Sequence, residues 1–120
     1  MYGLSVRWSL EAADKEVAQR LRVYVVGTSL DRFNGMAGLR FKTWRMRPGE
    51  WFEGTYVWDT LEARDAFQAA FTSEAAISPG SRIVGAEPVL IEPFEVVAVA
   101  EGAAGFTAGP GPALPPSPQV

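Results

Sequence analysis

Residues 38–69 read GLRFKTWRMRPGEWFEGTYVWDTLEARDAFQA, and their patterning decides the fold. The stretch holds Trp44, Trp51 and Trp58, leaving only Trp8 outside it. Leu39–Met46 alternates, with Leu39, Phe41, Thr43 and Arg45 on one side and Arg40, Lys42, Trp44 and Met46 on the other. That is the two-residue period of a strand. Arg47-Pro48-Gly49-Glu50 carries turn residues. Trp51–Trp58 then alternates again, with Phe52, Gly54, Tyr56 and Trp58 sharing one face and Trp51, Glu53, Thr55 and Val57 the other. A short link between two such runs predicts an antiparallel hairpin. Asp59 or Thr60 caps the next helix and Glu62 complements its dipole. The apolar side of that helix is Leu61, Ala63, Ala66, Phe67, Ala70 and Phe71.

Outward from the hairpin, the N-terminal run from Leu4 to Leu10 alternates as a strand. A helix is expected from Glu11 to about Val26 or a little further, with Ala13, Val17, Leu21 and Tyr24 on one face. Val23–Val26 is β-prone and also suits a short strand. Gly27, Asn34-Gly35 and Gly38 break the chain before the hairpin. Ser78-Pro79-Gly80 ends the second helix, and Ser81–Gly85 adds a turn. Pro88–Glu101 is extended, with Phe94–Ala100 as its clearest strand; its two prolines suit an edge or a bent segment.

The order strand, helix, strand, strand, helix, strand is a split βαβ plan. It predicts an α+β, ferredoxin-like fold: a four-stranded antiparallel sheet with two helices on one face. Both parity sets of the third strand carry large side chains, so one sheet face lacks cover within the chain. A second copy's sheet is the simplest cover, which makes a homodimer the expected state.

The domain spans 1–101. From Gly102 the chain reads GAAGFTAGPGPALPPSPQV, in which nine of nineteen residues are Gly or Pro and none is charged. Such a segment offers little burial against its ordering entropy, and 102–120 is expected to be a flexible tail. Pro115-Pro116 leaves open a short docking peptide.

The net charge of −3 hides a split. Residues 1–47 hold nine basic and four acidic side chains, and residues 48–101 two basic and ten acidic. Ordinary solvated faces explain this, as does a positive pocket wall. Beyond RFKTWRMR there is no basic run, which argues against nucleic acid as a partner. Charges interrupt every apolar segment and the N-terminus lacks a leader pattern, so neither a membrane span nor secretion is expected; cytoplasm is the default.

Histidine and cysteine are absent. Imidazole triads, thiolate nucleophiles, iron–sulfur clusters and the usual zinc sites are excluded. No spaced Asp cluster suggests a metal. Gly35-Met36-Ala37-Gly38 lacks the residues of a phosphate loop, so no nucleotide cofactor is indicated.

What remains is the even face of the second strand. If Arg40, Lys42 and Trp44 share a face with Phe52, Gly54, Tyr56 and Trp58, they form an aromatic pocket with two cations and a phenol. Cations and the Tyr56 hydroxyl suit stabilisation of a phenolate or enolate, and the rings suit stacking on a planar substrate. Each residue also has a structural reading. Trp44, Trp58 and Trp8 fit a hydrophobic core, Tyr56 a buried ring with one partner, Arg40 a solvated or interface cation, and Lys42 an ion pair. Asn34 is a turn residue or a pocket amide. Gly54 marks a bulge or a close approach.

Gly38-Leu39-x-x-Lys42-x-Trp44, then Gly54-x-Tyr56-x-Trp58, then Ala63-x-x-Ala66-Phe67, resembles the YdhR-type monooxygenases. These belong to the dimeric α+β barrel superfamily, beside the antibiotic-biosynthesis monooxygenases. The resemblance covers most of residues 2–101, and its specific part is Gly38–Phe67. It implies two monomers joining their sheets into a barrel, each with a pocket between sheet and helices. Some members of the superfamily oxidise aromatic substrates with dioxygen and no bound metal or flavin. Others are isomerases of the muconolactone type, act on haem or chlorite, or have no established activity.

Lys42, Trp44, Gly54 and Tyr56 fall on the family's recurring positions, and Trp58 stands where an aromatic recurs. A histidine used in several branches has no counterpart, the first helix and its loop are longer, and the tail lies outside the pattern. The resemblance thus implies a cofactor-independent monooxygenase acting on a small aromatic or hydrophobic metabolite. Tyr56, Lys42 and Arg40 would be catalytic, and Trp44, Trp58, Trp8 and Asn34 would contact substrate. A non-catalytic binding or assembly protein of the same fold is the alternative, and an isomerase a further one.

Overall fold

The computed structural model describes residues 1–111. Strand β1 spans Tyr2–Ser9, β2 Leu39–Arg47, β3 Trp51–Trp58 and β4 Leu90–Glu95, hydrogen-bonded in the order β2-β3-β1-β4 with every neighbouring pair antiparallel. The register sets Leu4 opposite Tyr56, Val6 opposite Gly54 and Trp8 opposite Phe52. Directly opposed residues share a sheet face, so these six project together. Onto that face pack the helices, and Leu4, Val6, Trp8, Phe52, Tyr56 and Trp58 join Val17, Leu21, Phe33 and Val84 in one buried core. This is the α+β, ferredoxin-like arrangement with helices on one face.

Helix α3, Leu61–Ser73, is capped by Thr60, whose Oγ1 accepts from the Ala63 amide at 3.1 Å. After a short 3₁₀ turn at Ala75–Ile77, α4 (Pro79–Val84) begins with its proline in the first turn and Ser78 as cap. Gly85 closes it in the left-handed region, at φ 83°.

The first helical region departs from the sequence expectation. Residues 11–16 form turns, in which the Asp14 carboxylate accepts from the Glu16 amide and pairs with Arg20 at 2.6 Å. Regular helix α1 runs Val17–Tyr24, widens into a π-helical turn at Val25–Ser29, and resumes as α2, Leu30–Phe33. Asp14 competes for the backbone amides just before α1 and moves its start beyond Glu11. The β-prone Val23–Val26 joins this helical run, in which Val25 packs on the core between Leu21 and Ser29, four residues to either side, while Val23 and Val26 face solvent.

The last strand also shifts. It occupies Leu90–Glu95 instead of Phe94–Ala100. Its partner β1 begins at Tyr2, which pairs with Glu95, so the chain beyond has only a Val96 amide bond to the Met1 carbonyl. Val97 is 92% exposed. Pro93 is accommodated because β4 is an edge strand.

The opposite sheet face carries no helix. At one end Glu53, 2% exposed, is gripped by Arg7 at 2.9 Å and by Arg45, while both guanidinium groups lie over Trp51. At the other end Phe94 lies against Gly3, and Phe41 meets Phe106 with centroids 6.2 Å apart. The face is therefore part charged network and part apolar corner. Of the expected tail, residues 102–111 are described; 112–120, with the Pro115-Pro116 docking reading, lie outside the described residues.

Candidate functional site

Between the helix-bearing sheet face and the helices lies a cavity of about 360 Å³. Its floor is Trp44, Phe52, Gly54 and Tyr56 with Lys42, and its walls include Phe33, Phe67, Phe71 and Trp8. β2 and β3 bring Lys42 opposite Tyr56 and Trp44 opposite Gly54, so the hairpin pattern does place these four side by side.

Lys42 Nζ stands 3.6 Å from the ring centroid of Phe33, 4.3 Å from that of Tyr56 and 4.5 Å from that of Trp44. Among the described residues it has no carboxylate partner. Burial, and after it the Arg32 guanidinium, pull its pKa down to about 6. The three ring faces act in the opposite sense and hold the ammonium once it forms. Near neutral pH Lys42 is therefore an uncharged amine able to take a proton without leaving its cage.

Gly54 makes this geometry possible. A Cβ there would lie 3.3 Å from Lys42 Cε and 3.5 Å from Tyr56 Oη, tightening the space that the amine and the phenol occupy. Tyr56 is buried at 4% exposure, and its hydroxyl makes no hydrogen bond among the described residues. Burial raises its pKa well above the ordinary tyrosine value; Arg32 opposes this and Tyr24 adds to it. The phenol keeps its proton and serves as a donor.

Trp44 is fixed by its Nε1–H, which donates to Ser29 Oγ at 3.1 Å. Trp8 donates to Ser81 Oγ at 3.0 Å, and that hydroxyl in turn donates to the Ala75 carbonyl. A Cβ on Gly80 would stand 2.7 Å from Trp8 Cζ2, so the α4 N-terminus presses on the indole and holds it as a wall.

Three sequence-predicted residues are not in the cavity. Arg40 is the extra residue of a β-bulge between Leu39 and Phe41, which turns it outward to pair with Asp59 at 3.1 Å. Asn34 is exposed at the end of α2, where it reverses the chain. Trp58 lies behind the cavity, stacked on Tyr56 with an interplanar angle of 9° and tilted over Phe67. Its Nε1–H is buried without a partner.

Sequence reasoning missed Ser29, Arg32 and Phe33. Val17, Leu21, Val25, Ser29 and Phe33 follow one another at a strict spacing of four. In an α-helix such a stripe drifts around the axis, because a turn is only 3.6 residues. The wider π-helical turn at Val25–Ser29 winds it back, bringing Ser29 and Phe33 onto the sheet. The spacing was the available signal.

No protein-family model and no curated protein matches this sequence. Among solved structures, the chain is similar to one named "putative Antibiotic biosynthesis monooxygenase" from Chloroflexus aurantiacus J-10-fl. The TM-score is 0.45 and the identity 21%, over 90% of this chain and 98% of that one. No group of three or more His, Cys, Asp or Glu that could hold a metal occurs among the described residues. No described helix is long and apolar enough to cross a membrane.

Proposed function

We propose that the protein is an enzyme that oxidises a small, acidic, planar aromatic compound with dioxygen, without a bound cofactor. The observation that carries this reading is Lys42, an amine with a lowered proton affinity set among three aromatic rings in the cavity between sheet and helices. An amine of this kind is matched to removing a proton from a phenol or an activated ring methylene at neutral pH. The ammonium then stays against the ring faces as counter-ion to the substrate anion. Tyr56 Oη–H donates to the developing oxyanion, while Phe33, Trp44 and Phe67 bracket the ring.

The electron-rich anion passes one electron to dioxygen, the radical pair combines to a peroxide anion, and the Lys42 ammonium returns its proton to give the hydroperoxide. Loss of water converts the ring methylene to a carbonyl. One oxygen atom enters the product and the other leaves as water, so the substrate supplies all the reducing electrons.

The test is dioxygen uptake with a panel of phenols and hydroxylated polycyclic ketones. One dioxygen consumed per carbonyl formed, with loss in Lys42→Met, supports the reading. Saturable binding without uptake would leave a binding protein, and a shifted double bond without uptake an isomerase.

A homodimer through the helix-free sheet face belongs to the same proposal. Its support is the half-buried apolar corner of Phe41 and Phe94, at the other end of the helix-free sheet face from the Arg7–Glu53–Arg45 network. Solution mass at micromolar concentration tests it; a stable monomer would remove the barrel.

A further inference from the structure

We infer that Lys42 Nζ is a covalent capture site for aryl aldehydes or ketones carrying an anionic substituent, which it binds as an imine. It rests on the same reading of Lys42 as an uncharged amine open to the cavity, but not on any reaction with dioxygen.

Three features carry it. Among the described residues the Nζ lone pair is not engaged by a carboxylate, and Nζ stands against the ring faces of Phe33, Tyr56 and Trp44. The cavity volume of about 360 Å³ accommodates a single-ring carbonyl compound against those rings. Arg32 lines the same cavity, is exposed, and forms no ion pair among the described residues. It supplies a cation for a carboxylate on the ring remote from the carbonyl. Glu74 also lines the cavity, and its negative charge disfavours a second anionic group.

The chemistry balances without an added redox partner. The amine attacks the carbonyl carbon to give a carbinolamine, the Tyr56 hydroxyl donating a hydrogen bond to the oxygen. That oxygen leaves as water with the two amine hydrogens, and the C=N bond forms. The adduct rests as the neutral imine, and solvent protonates a fraction of it to the iminium that a hydride donor reduces. Desolvation disfavours the charged lysine but is satisfied by a weakly basic imine, so the cavity favours the captured state.

Lys15, which is exposed, is the chain's other lysine, which makes the test sharp. The protein is incubated at pH 7 with 4-formylbenzoate and cyanoborohydride, and the adduct is located by intact mass and peptide mapping. The expected result is one added probe less one oxygen atom, on Lys42, more than about tenfold faster than on Lys15. Lys42→Met, which keeps an unbranched chain in the same volume, should lose that adduct, and Lys15→Arg should keep it. Benzaldehyde, lacking the carboxylate, should label Lys42 more slowly, and that difference should vanish in Arg32→Gln.

Labelling confined to Lys15 and the α-amino group, or unchanged in Lys42→Met, overturns the inference. Capture absent while dioxygen uptake depends on Lys42 removes the imine and leaves the oxidation. Capture present without uptake does the reverse.

Discussion

Lys42 Nζ lies 3.6 Å from the centroid of the Phe33 ring, joining the middle of β2 to the last residue of α2. The contact closes the cavity on its helical side and sets the electrostatics of the site. Phe33 also meets Tyr56, Trp44 and Phe67 edge-on, with centroids 5.6, 6.1 and 6.0 Å away. One side chain from the helix thus orders four from the other elements.

Lys42 should govern the alkaline side of the stability profile. Its pKa of about 6 in the fold lies below the ordinary lysine value near 10.4, so between the two the unfolded chain holds a proton that the folded chain lacks. Stability therefore rises with pH through that window, by up to about 1.4 kcal/mol per pH unit from this group, and levels off above it. Urea titrations from pH 6 to 10 should show the slope in the wild type and lose it in Lys42→Met. The variant should be the more stable by about 2 kcal/mol at pH 7.

Replacing Tyr56 with Phe removes a hydroxyl that has no protein partner, so folding stability should change by less than about 0.5 kcal/mol. Turnover in the dioxygen assay should fall by about 10²-fold with little change in KM, because the donor acts on charge that develops during reaction. Unchanged turnover would take Tyr56 out of the mechanism.

Ser29→Ala should cost about 1–2 kcal/mol, since Trp44 Nε1–H loses its acceptor at 3.1 Å in a part-buried setting. The indole then has no reason to keep its orientation. Aldehyde capture by Lys42 should slow, and tryptophan emission should change, while Ser81→Ala alters Trp8 instead.

On the helix-free face, Glu53→Gln should destabilise by about 2 kcal/mol at pH 7, because two arginines lose a charged acceptor. Burial acts to raise the Glu53 pKa, yet the hydrogen bonds from Arg45 and Arg7 outweigh it and hold the carboxyl below the usual 4.5. A depressed carboxylate pKa contributes stability that is complete above the ordinary range and is lost as acid takes pH through the folded value. The wild type and Glu53→Gln should accordingly converge in denaturation curves collected below pH 3. A constant difference down to that pH would mean the carboxylate is not the cause.

Residues 38–69 by themselves determined the hairpin, its turn, the capped helix and the alternation within each strand, while the register across the turn set Lys42 and Trp44 beside Tyr56 and Gly54. Each of those features is local, set by periods of two and 3.6 residues and by turn and cap chemistry. The start of α1 is set by a local side-chain contact that hydrophobic periodicity does not show, and the end of β4 is not local. Asp14 and Arg20 decide where α1 starts, and the first residue of β1 decides where β4 stops.

The site needed the tertiary structure for a similar reason. Parity assigned Arg40 to the cavity face, but a bulge between Leu39 and Phe41 reversed its side and gave it to Asp59. A strand's period says nothing about where its partner slips by one residue. The π-helical turn likewise chose Ser29 and Phe33 over Asn34. Whether a lysine is a solvated cation or a caged amine is decided by what the distant chain lays over it, and here that is Phe33.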